Sequence, residues 1–351
     1  MQLPGVNLRV LTTDSAGPKV SDRVPATSFP VRYSPGYDVY FLKRIAGESV
    51  APGLLLELYS MIDWADVIHL TYVYYFPTIP TLAACKSLGK PLIWSPRGSF
   101  YRWDGQRRQH MKALWLKCCR SVIPSRTVIH CASIKEKMEA EWRMPSVRTA
   151  VVSNGVEIPT TGKSFRASSG EQLSLLYLGV ISPVKGLDVL LHAMALLDRG
   201  IKLDVYGHVP LAYEDYGKAM SRLVDDLALR ERVIFHGFVE NELKTNAFLN
   251  ADICVVPSHS ENFSNVVAEA LAYGVPVIAS TGTPWSGVVE HGCGEWVDKS
   301  PASLAASILR MRHKPLQEMG GRGRDWMQRE FGWSSVATKM EALYKRVIEQ
   351  D

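Results

Sequence analysis

ADICVVPSHSENFSNVVAEALAYGVPVIAS, residues 251–280, decides how this chain folds. Ile253–Val256 is apolar at every position, and so, but for one proline, is Val275–Ala279. A strand with one wet face alternates apolar and polar residues. One that is apolar throughout is buried on both faces, as in a parallel sheet covered by helices. Between the two runs, residues 265–273 have the length and small apolar residues of a helix. Strand, loop, helix and strand make a βαβ unit.

The same alternation extends in both directions. Strands are expected at Leu8–Leu11, Asp66–Leu70, Leu92–Ser95, Thr127–His130 and Ala150–Ser153. A second series runs through Leu173–Leu178, Leu203–Tyr206, Val233–Phe235, Ile253–Val256 and Val275–Ala279. Helical segments near 53–63, 78–88, 106–119 and 134–141 separate the first set, and others near 187–199, 212–228, 240–249 and 265–273 separate the second. Asn154–Gln172, NGVEIPTTGKSFRASSGEQ, has no periodicity and is rich in turn formers. The expected organisation is α/β. A Rossmann-like domain over 1–155 is followed by a linker over 156–172 and a second Rossmann-like domain over 173–332. A terminal helix over 333–351 returns to the first domain. Ligands of open α/β sheets sit beyond the carboxyl ends of the strands, so two such edges would face each other across a cleft.

Composition narrows the function. The 351 residues are 46% hydrophobic and 21% charged, as in a globular protein. The six cysteines, at 85, 118, 119, 131, 254 and 293, form no C-x-x-C pair or zinc-like spacing, and buried or free thiols are expected. Met1–Arg9 lacks a secretory pattern, no stretch is long and apolar enough to span a bilayer, and a cytoplasmic protein is expected. Residues 1–166 carry 22 Lys and Arg against 12 Asp and Glu, whereas residues 167–351 carry 18 against 23. The halves therefore meet different partners. Arg97–Arg126 holds eight basic residues and one Asp, interleaved with Tyr101, Trp103 and Trp115. It reads either as a surface for an anionic membrane on the inner face of the cytoplasmic membrane or as a solvated basic face with Trp115 buried. No nucleic-acid motif accompanies the charge, and no G-x-G-x-x-G follows a strand, which argues against a nicotinamide dehydrogenase.

The chemistry concentrates after Ile253–Val256. Glu261 lies in the loop and Glu269, eight residues on, inside the following helix. The backbone N–H groups of Asn262, Phe263, Ser264 and Asn265, with Ser264 as N-cap, stand at a helix start, where an anion such as a diphosphate is favoured. A second turn, in YLGVISPVKGLDVLLHAMALL (Tyr177–Leu197), carries Gly179 and Lys185 between a strand and a helix. In the first half, KPLIWSPRGSF (Lys90–Phe100) ends a strand at Arg97. HGFVENEL (His236–Leu243) places Gly237 and Phe238 after another strand. Its glycine lets the backbone approach a flat ring, while Phe238 reads more readily as core than as a stacking partner.

Together these segments resemble the retaining glycosyltransferases of the GT-B fold, family 4, over about residues 60–350. PSHSENFSNVVAEALAYGVPVIAS matches the family's Glu-x7-Glu signature, with Glu261 and Glu269 in the two places. TGTPWSGVVEHGCGEWVD, IHCAS (Ile129–Ser133) and VVSNGVEIP (Val151–Pro159) follow in the family's order. The resemblance implies transfer of a sugar, with retention and without a metal or cofactor, from a UDP- or GDP-sugar to a glycan or lipid-linked acceptor in surface polysaccharide or lipopolysaccharide synthesis. Lys185 would neutralise the donor diphosphate, Glu261 hold the sugar, Glu269 grip the ribose and Arg97 face sugar or phosphate. Gly179, Gly237, Phe238 and the 262–265 backbone would complete the donor site. Two departures stand out. Val180 occupies the place of a family arginine. The first strand and glycine-rich loop precede no part of VLTTD (Val10–Asp14), which implies either a natural start upstream of Met1 or a reduced copy. These departures motivate the alternative of a non-catalytic relative that binds nucleotide sugars as an assembly module.

Overall fold

The structure is a computed structural model and describes residues 5–16, 21–24, 31–33, 36–47, 49–100, 109–163 and 172–349. Tyr101 and Trp103 of the basic segment, and residues 164–171 of the expected linker, lie outside the described residues. The chain forms two compact units, Met1–Val152 with Ala337–Asp351, and Ser153–Val336.

The first unit contains β1 (Arg9–Thr13), β2 (Val31–Tyr33), β3 (Tyr37–Leu42), α1 (Leu54–Trp64), β4 (Ile68–Thr71), α2 (Thr78–Ser87), β5 (Leu92–Ser95), α3 (Gln109–Val122), β6 (Thr127–Cys131), α4 (Ile134–Arg143) and β7 (Arg148–Val151). β4, β5, β6 and β7 form a parallel sheet in that order. β1 pairs parallel and β2 antiparallel with β3 in a separate sheet. β5 and β6 are buried at every position, which is why their sequences are continuously apolar apart from inward polar groups. β2 and β3 are not foreseen in the sequence. Both are short, and β3 is mostly half-buried, so neither carries a strong apolar run. The Trp115 indole leans on this unit's core and donates to the Val73 carbonyl at 2.7 Å.

The second unit contains β8 (Leu173–Leu178), α5 (Leu187–Ala195), β9 (Ile201–Tyr206), α6 (Glu214–Asp226), β10 (Val233–Gly237), α7 (Asn241–Asn250), β11 (Ile253–Val256), α8 (Asn265–Ala272), β12 (Val277–Ser280), α9 (Gly287–Glu290), β13 (Gly294–Val297), α10 (Pro301–Arg312) and α11 (Leu316–Trp326). All six strands are parallel, in the order β10-β9-β8-β11-β12-β13. Leu175, Leu190, Val205, Ile253 and Ile278 belong to one buried core between sheet and helices. β13, in the mixed sequence GEWV, is an edge strand with half its residues partly exposed and is not foreseen.

Residues 156–163 read as linker from their lack of periodicity, yet they are bonded to this unit. The Val156 N–H donates to the Phe331 carbonyl at 2.8 Å and the Lys163 N–H to the Tyr273 carbonyl at 2.7 Å. The Lys163 ammonium also pairs with Asp252 at 3.0 Å. Such long-range partners leave no periodic trace in sequence. Helix α12 (Trp333–Glu349) begins in the second unit and continues into the first.

Candidate functional site

Numbered within the second unit, the strand order is 3-2-1-4-5-6. The sense of winding reverses between β8 and β11, and in such sheets the crevice beyond the strand ends at that reversal receives the ligand. The two loops that leave it are residues 179–186 and 257–264. Backbone contact brings them together, since the His259 N–H donates to the Val184 carbonyl at 2.8 Å. Gly186 makes this approach possible. Its φ is +67°, and a Cβ there would sit 2.4 Å from the Pro257 carbonyl oxygen.

Lys185 and Glu261 meet in this crevice. The ammonium donates to Glu261 Oε1 at 2.6 Å, with the lysine side chain 29% and the glutamate 12% exposed. The Ser258 hydroxyl donates to the same oxygen at 2.9 Å and that of Ser264 reaches it at 3.5 Å. Among the described residues no hydrogen bond engages Oε2, so this carboxylate is oriented on one side and keeps acceptor capacity on the other. Tyr177 backs the same turn. Its hydroxyl donates to the Val180 carbonyl at 3.1 Å, and burial, followed by the neighbouring Tyr216, Glu261 and Asp188, holds its ionisation well above the ordinary tyrosine value.

Helix α8 starts at Asn265 as expected, but Ser264 does not cap it with its side chain. Ser264 adopts φ +70°, a left-handed conformation that a non-glycine residue rarely holds, and turns its hydroxyl to Glu261 instead. Phe263 points inward, its ring 5.1 Å from that of Trp285 and its carbonyl accepting from the Trp285 indole, so it anchors the loop. Asn262 is half-buried, and the exposed Asn265 accepts from the Asn154 amide at 3.1 Å. Glu269, further along α8, pairs with Lys244 of α7 at 2.8 Å. Sequence reasoning missed Lys244, Ser258 and Tyr177. Lys244 had a signal, since it follows the HGFVENEL segment directly.

The neighbouring strand ends differ in character. A Cβ on Gly179 (φ +154°) or Gly237 (φ +76°) would meet nothing within 4 Å, so both backbones border open space. Phe238 is not core. It is 63% exposed, and its ring meets that of His208 edge-on, at 5.7 Å between centroids. The reason is its place just past the end of β10, where the residues from Ile234 onward are already exposed. Val180, half-buried, carries no cation into the turn.

Arg97 belongs to the first unit. It follows β5, is exposed, and has φ +51°. The next residue, Gly98, donates its N–H to buried Glu136 at 2.6 Å, and Glu136 also accepts from the Ala132 N–H at 2.6 Å. The turn that presents Arg97 is thus clamped to α4.

Known proteins agree with this architecture. Residues 163–326 match the family described as glycosyl transferases group 1, and residues 4–158 match the one described as Glycosyltransferase Family 4. Each unit thus matches a glycosyltransferase family model, and the fold is GT-B. An uncharacterized glycosyltransferase of Methanocaldococcus jannaschii, MJ1607, is 28% identical over 238 residues, covering 62% of this chain and 59% of that one. The chain spans about half the length of the curated relatives it matches. Sucrose-phosphate synthase from Thermosynechococcus elongatus superimposes with a TM-score of 0.76 at 20% identity, covering 98% and 89% of the two chains. Anabaena HepE, solved in complex with UDP-glucose, gives 0.70 at 17% identity, covering 88% and 86%. Among the described residues no helix is long and apolar enough to cross a membrane.

Proposed function

We propose that this chain transfers a sugar, with retention, from a nucleotide-diphospho-sugar to a glycan or lipid-linked acceptor. The observation that carries the reading is the Lys185–Glu261 pair, set where the parallel sheet reverses its winding and beside the start of α8. That place joins a cation and the N-terminal end of a helix, which suit a diphosphate, to a carboxylate that keeps an oxygen for sugar hydroxyls. Glu269, held by Lys244, is the acceptor for the ribose hydroxyls. Gly179, Gly237 and the backbone of residues 262–265 line the rest of the donor site. Exposed Phe238 is available as a stacking face for the base. That Anabaena HepE was solved with UDP-glucose supports a donor of this class.

As the anomeric carbon–oxygen bond to the diphosphate breaks, its electron pair leaves with the phosphate. The acceptor hydroxyl forms the new bond and gives its proton to the departing phosphate oxygen. Lys185 and the α8 N–H groups meet the growing negative charge, and Arg97 is proposed, from the family resemblance alone, as a further cation acting on sugar or phosphate. These groups supply the compensation without a metal or cofactor in the proposed reaction. Exposed Met111 and Leu114 on α3, followed by Lys117 and Arg120, support peripheral contact with an anionic membrane, consistent with a lipid-linked acceptor in surface polysaccharide or lipopolysaccharide synthesis. Thermal unfolding with UDP, GDP, ADP and their common sugars tests the reading. A donor at a hundred times its Kd stabilises the fold by about 2.7 kcal/mol. No rise in Tm with any of them defeats it.

A further inference from the structure

The first unit holds a line of polar side chains that the donor site does not use. The Tyr344 hydroxyl of α12 lies 2.6 Å from His69 Nδ1 on β4. His69 Nε2 lies 2.6 Å from Ser95 Oγ at the end of β5. Ser95 Oγ lies 2.7 Å from His130 Nδ1 on β6, and His130 Nε2 lies 2.7 Å from the Val152 carbonyl beyond β7. Ser95 is fully buried, His130 nearly so and His69 partly.

One proton assignment satisfies every link with neutral rings. The Val152 carbonyl can only accept, so His130 Nε2 carries a hydrogen and its Nδ1 accepts. Ser95 therefore donates its single hydrogen to His130 and accepts from His69 Nε2–H. That leaves His69 Nδ1 to accept from the Tyr344 hydroxyl. A second proton on either ring would turn an acceptor into a donor and break this single direction.

Arg97 lies two residues beyond Ser95. We propose that Tyr344, His69, Ser95 and His130 form a one-way, neutral hydrogen-bonded chain that positions the turn bearing Arg97, so that its placement fails when either ring takes a second proton. The importance of that turn rests on the transferase reading above. The surroundings favour neutral rings. Burial lowers the affinity of His69 for a proton, with His130 and Arg97 adding to it, to about pKa 3. Burial also lowers that of His130, opposed by the Val152 hydrogen bond and seconded by Arg97. The charged and titratable groups acting on these rings are thus Arg97 on the β5 turn for both, His130 for His69, and Tyr344 from α12, which bonds His69. Glu136 holds the far side of the turn through Gly98.

Nitrogen NMR of the full chain, labelled in histidine and arginine, tests this without any substrate. Both rings are expected as neutral Nε2–H tautomers at pH 7, with His69 unchanged at about pH 5 and His130 taking up a proton only at lower pH than a free imidazole. Tyr344→Phe removes one hydroxyl and no volume that matters to folding. It should raise the His69 titration toward the ordinary 6.5 and shift or broaden the Arg97 Nε–H signal. His69→Gln keeps a donor toward Ser95 and should retain that signal better than His69→Ala. An Nδ1–H tautomer at either ring, ordinary titration in the native chain, or an Arg97 signal indifferent to Tyr344→Phe overturns the proposal. If the chain behaves as expected in a protein that binds no nucleotide sugar, only the transferase reading falls.

Discussion

Lys185 and Glu261 come from different loops, 76 residues apart in sequence, and close to 2.6 Å at the point where the second sheet changes direction. Each is what the other must release when a donor arrives, because a diphosphate competes for the ammonium and a sugar hydroxyl for the carboxylate. Glu261→Gln separates the two demands. Freed from its partner, Lys185 should hold UDP as well as or better than before, while transfer falls about 100- to 1000-fold for want of the charge. Calorimetry with UDP and turnover with the donor that the thermal panel selects read the two sides. Equal loss of both would mean that Glu261 serves only to hold the loop.

Glu269→Gln is expected to weaken donor binding with a smaller effect on turnover at saturation, since the ribose lies away from the breaking bond. A tenfold rise in Kd corresponds to about 1.4 kcal/mol. Lys244, its partner at 2.8 Å, should show part of the same loss when changed to Met. Unchanged affinity in Glu269→Gln excludes the ribose role.

Strands β11 and β12 were legible because they are apolar on both faces, and the same signal located the loop and helix between them. Glu261, Lys185 and Gly179 could therefore be placed in the loops after strands, and Glu269 in the helix that follows one, before any geometry was known. Which of them touch could not be read. The Lys185–Glu261 and Glu269–Lys244 pairs depend on the strand order, and a linear pattern says nothing of which strands are neighbours. Phe238 shows the opposite failure. An aromatic just after a strand looks like core, but β10 is an edge strand and its end is solvated. Ser264 looked like a cap because serine often is one, whereas Glu261 offers its hydroxyl a charged acceptor.

Gly186→Ala tests the close approach of the two site loops. At φ +67° with the Pro257 oxygen 2.4 Å from the new Cβ, the side chain demands both strain and displacement. Strain of this kind costs about 1–3 kcal/mol, and Tm should fall by roughly 2–12 °C. Differential scanning calorimetry decides it. A native Tm would mean that the loops part easily, and donor binding would then report how much their contact matters.

Stability should fall as pH drops below 6.5. The unfolded chain binds protons at His69 and His130 near their ordinary 6.5, while the folded chain, with both lowered and His69 at about 3, does not. Their contribution is complete above 6.5 and declines by up to about 1.4 kcal/mol per pH unit for each ring. For His69 the decline levels only near its folded value. Denaturant unfolding from pH 7.5 to 5.5 should show this slope in the native chain and a shallower one in His69→Gln. Parallel slopes would remove His69 from the account.

Val180 offers a gain-of-function test of the donor site. The turn that holds it already presents Lys185, and the Val180 carbonyl is fixed by Tyr177 at 3.1 Å, so a longer side chain need not disturb the backbone. A guanidinium there would add two parallel donors suited to phosphate, where the lysine offers a point charge. Val180→Arg should tighten UDP binding about tenfold, roughly 1.4 kcal/mol, and make it more sensitive to salt. Lys185→Ala in the same background should cost less than in the native chain, because two cations sharing one diphosphate partly replace each other. If Val180→Arg leaves UDP affinity untouched while Lys185→Ala abolishes it, the diphosphate lies on the Glu261 side of the turn and the arginine position was never part of this chain's donor site.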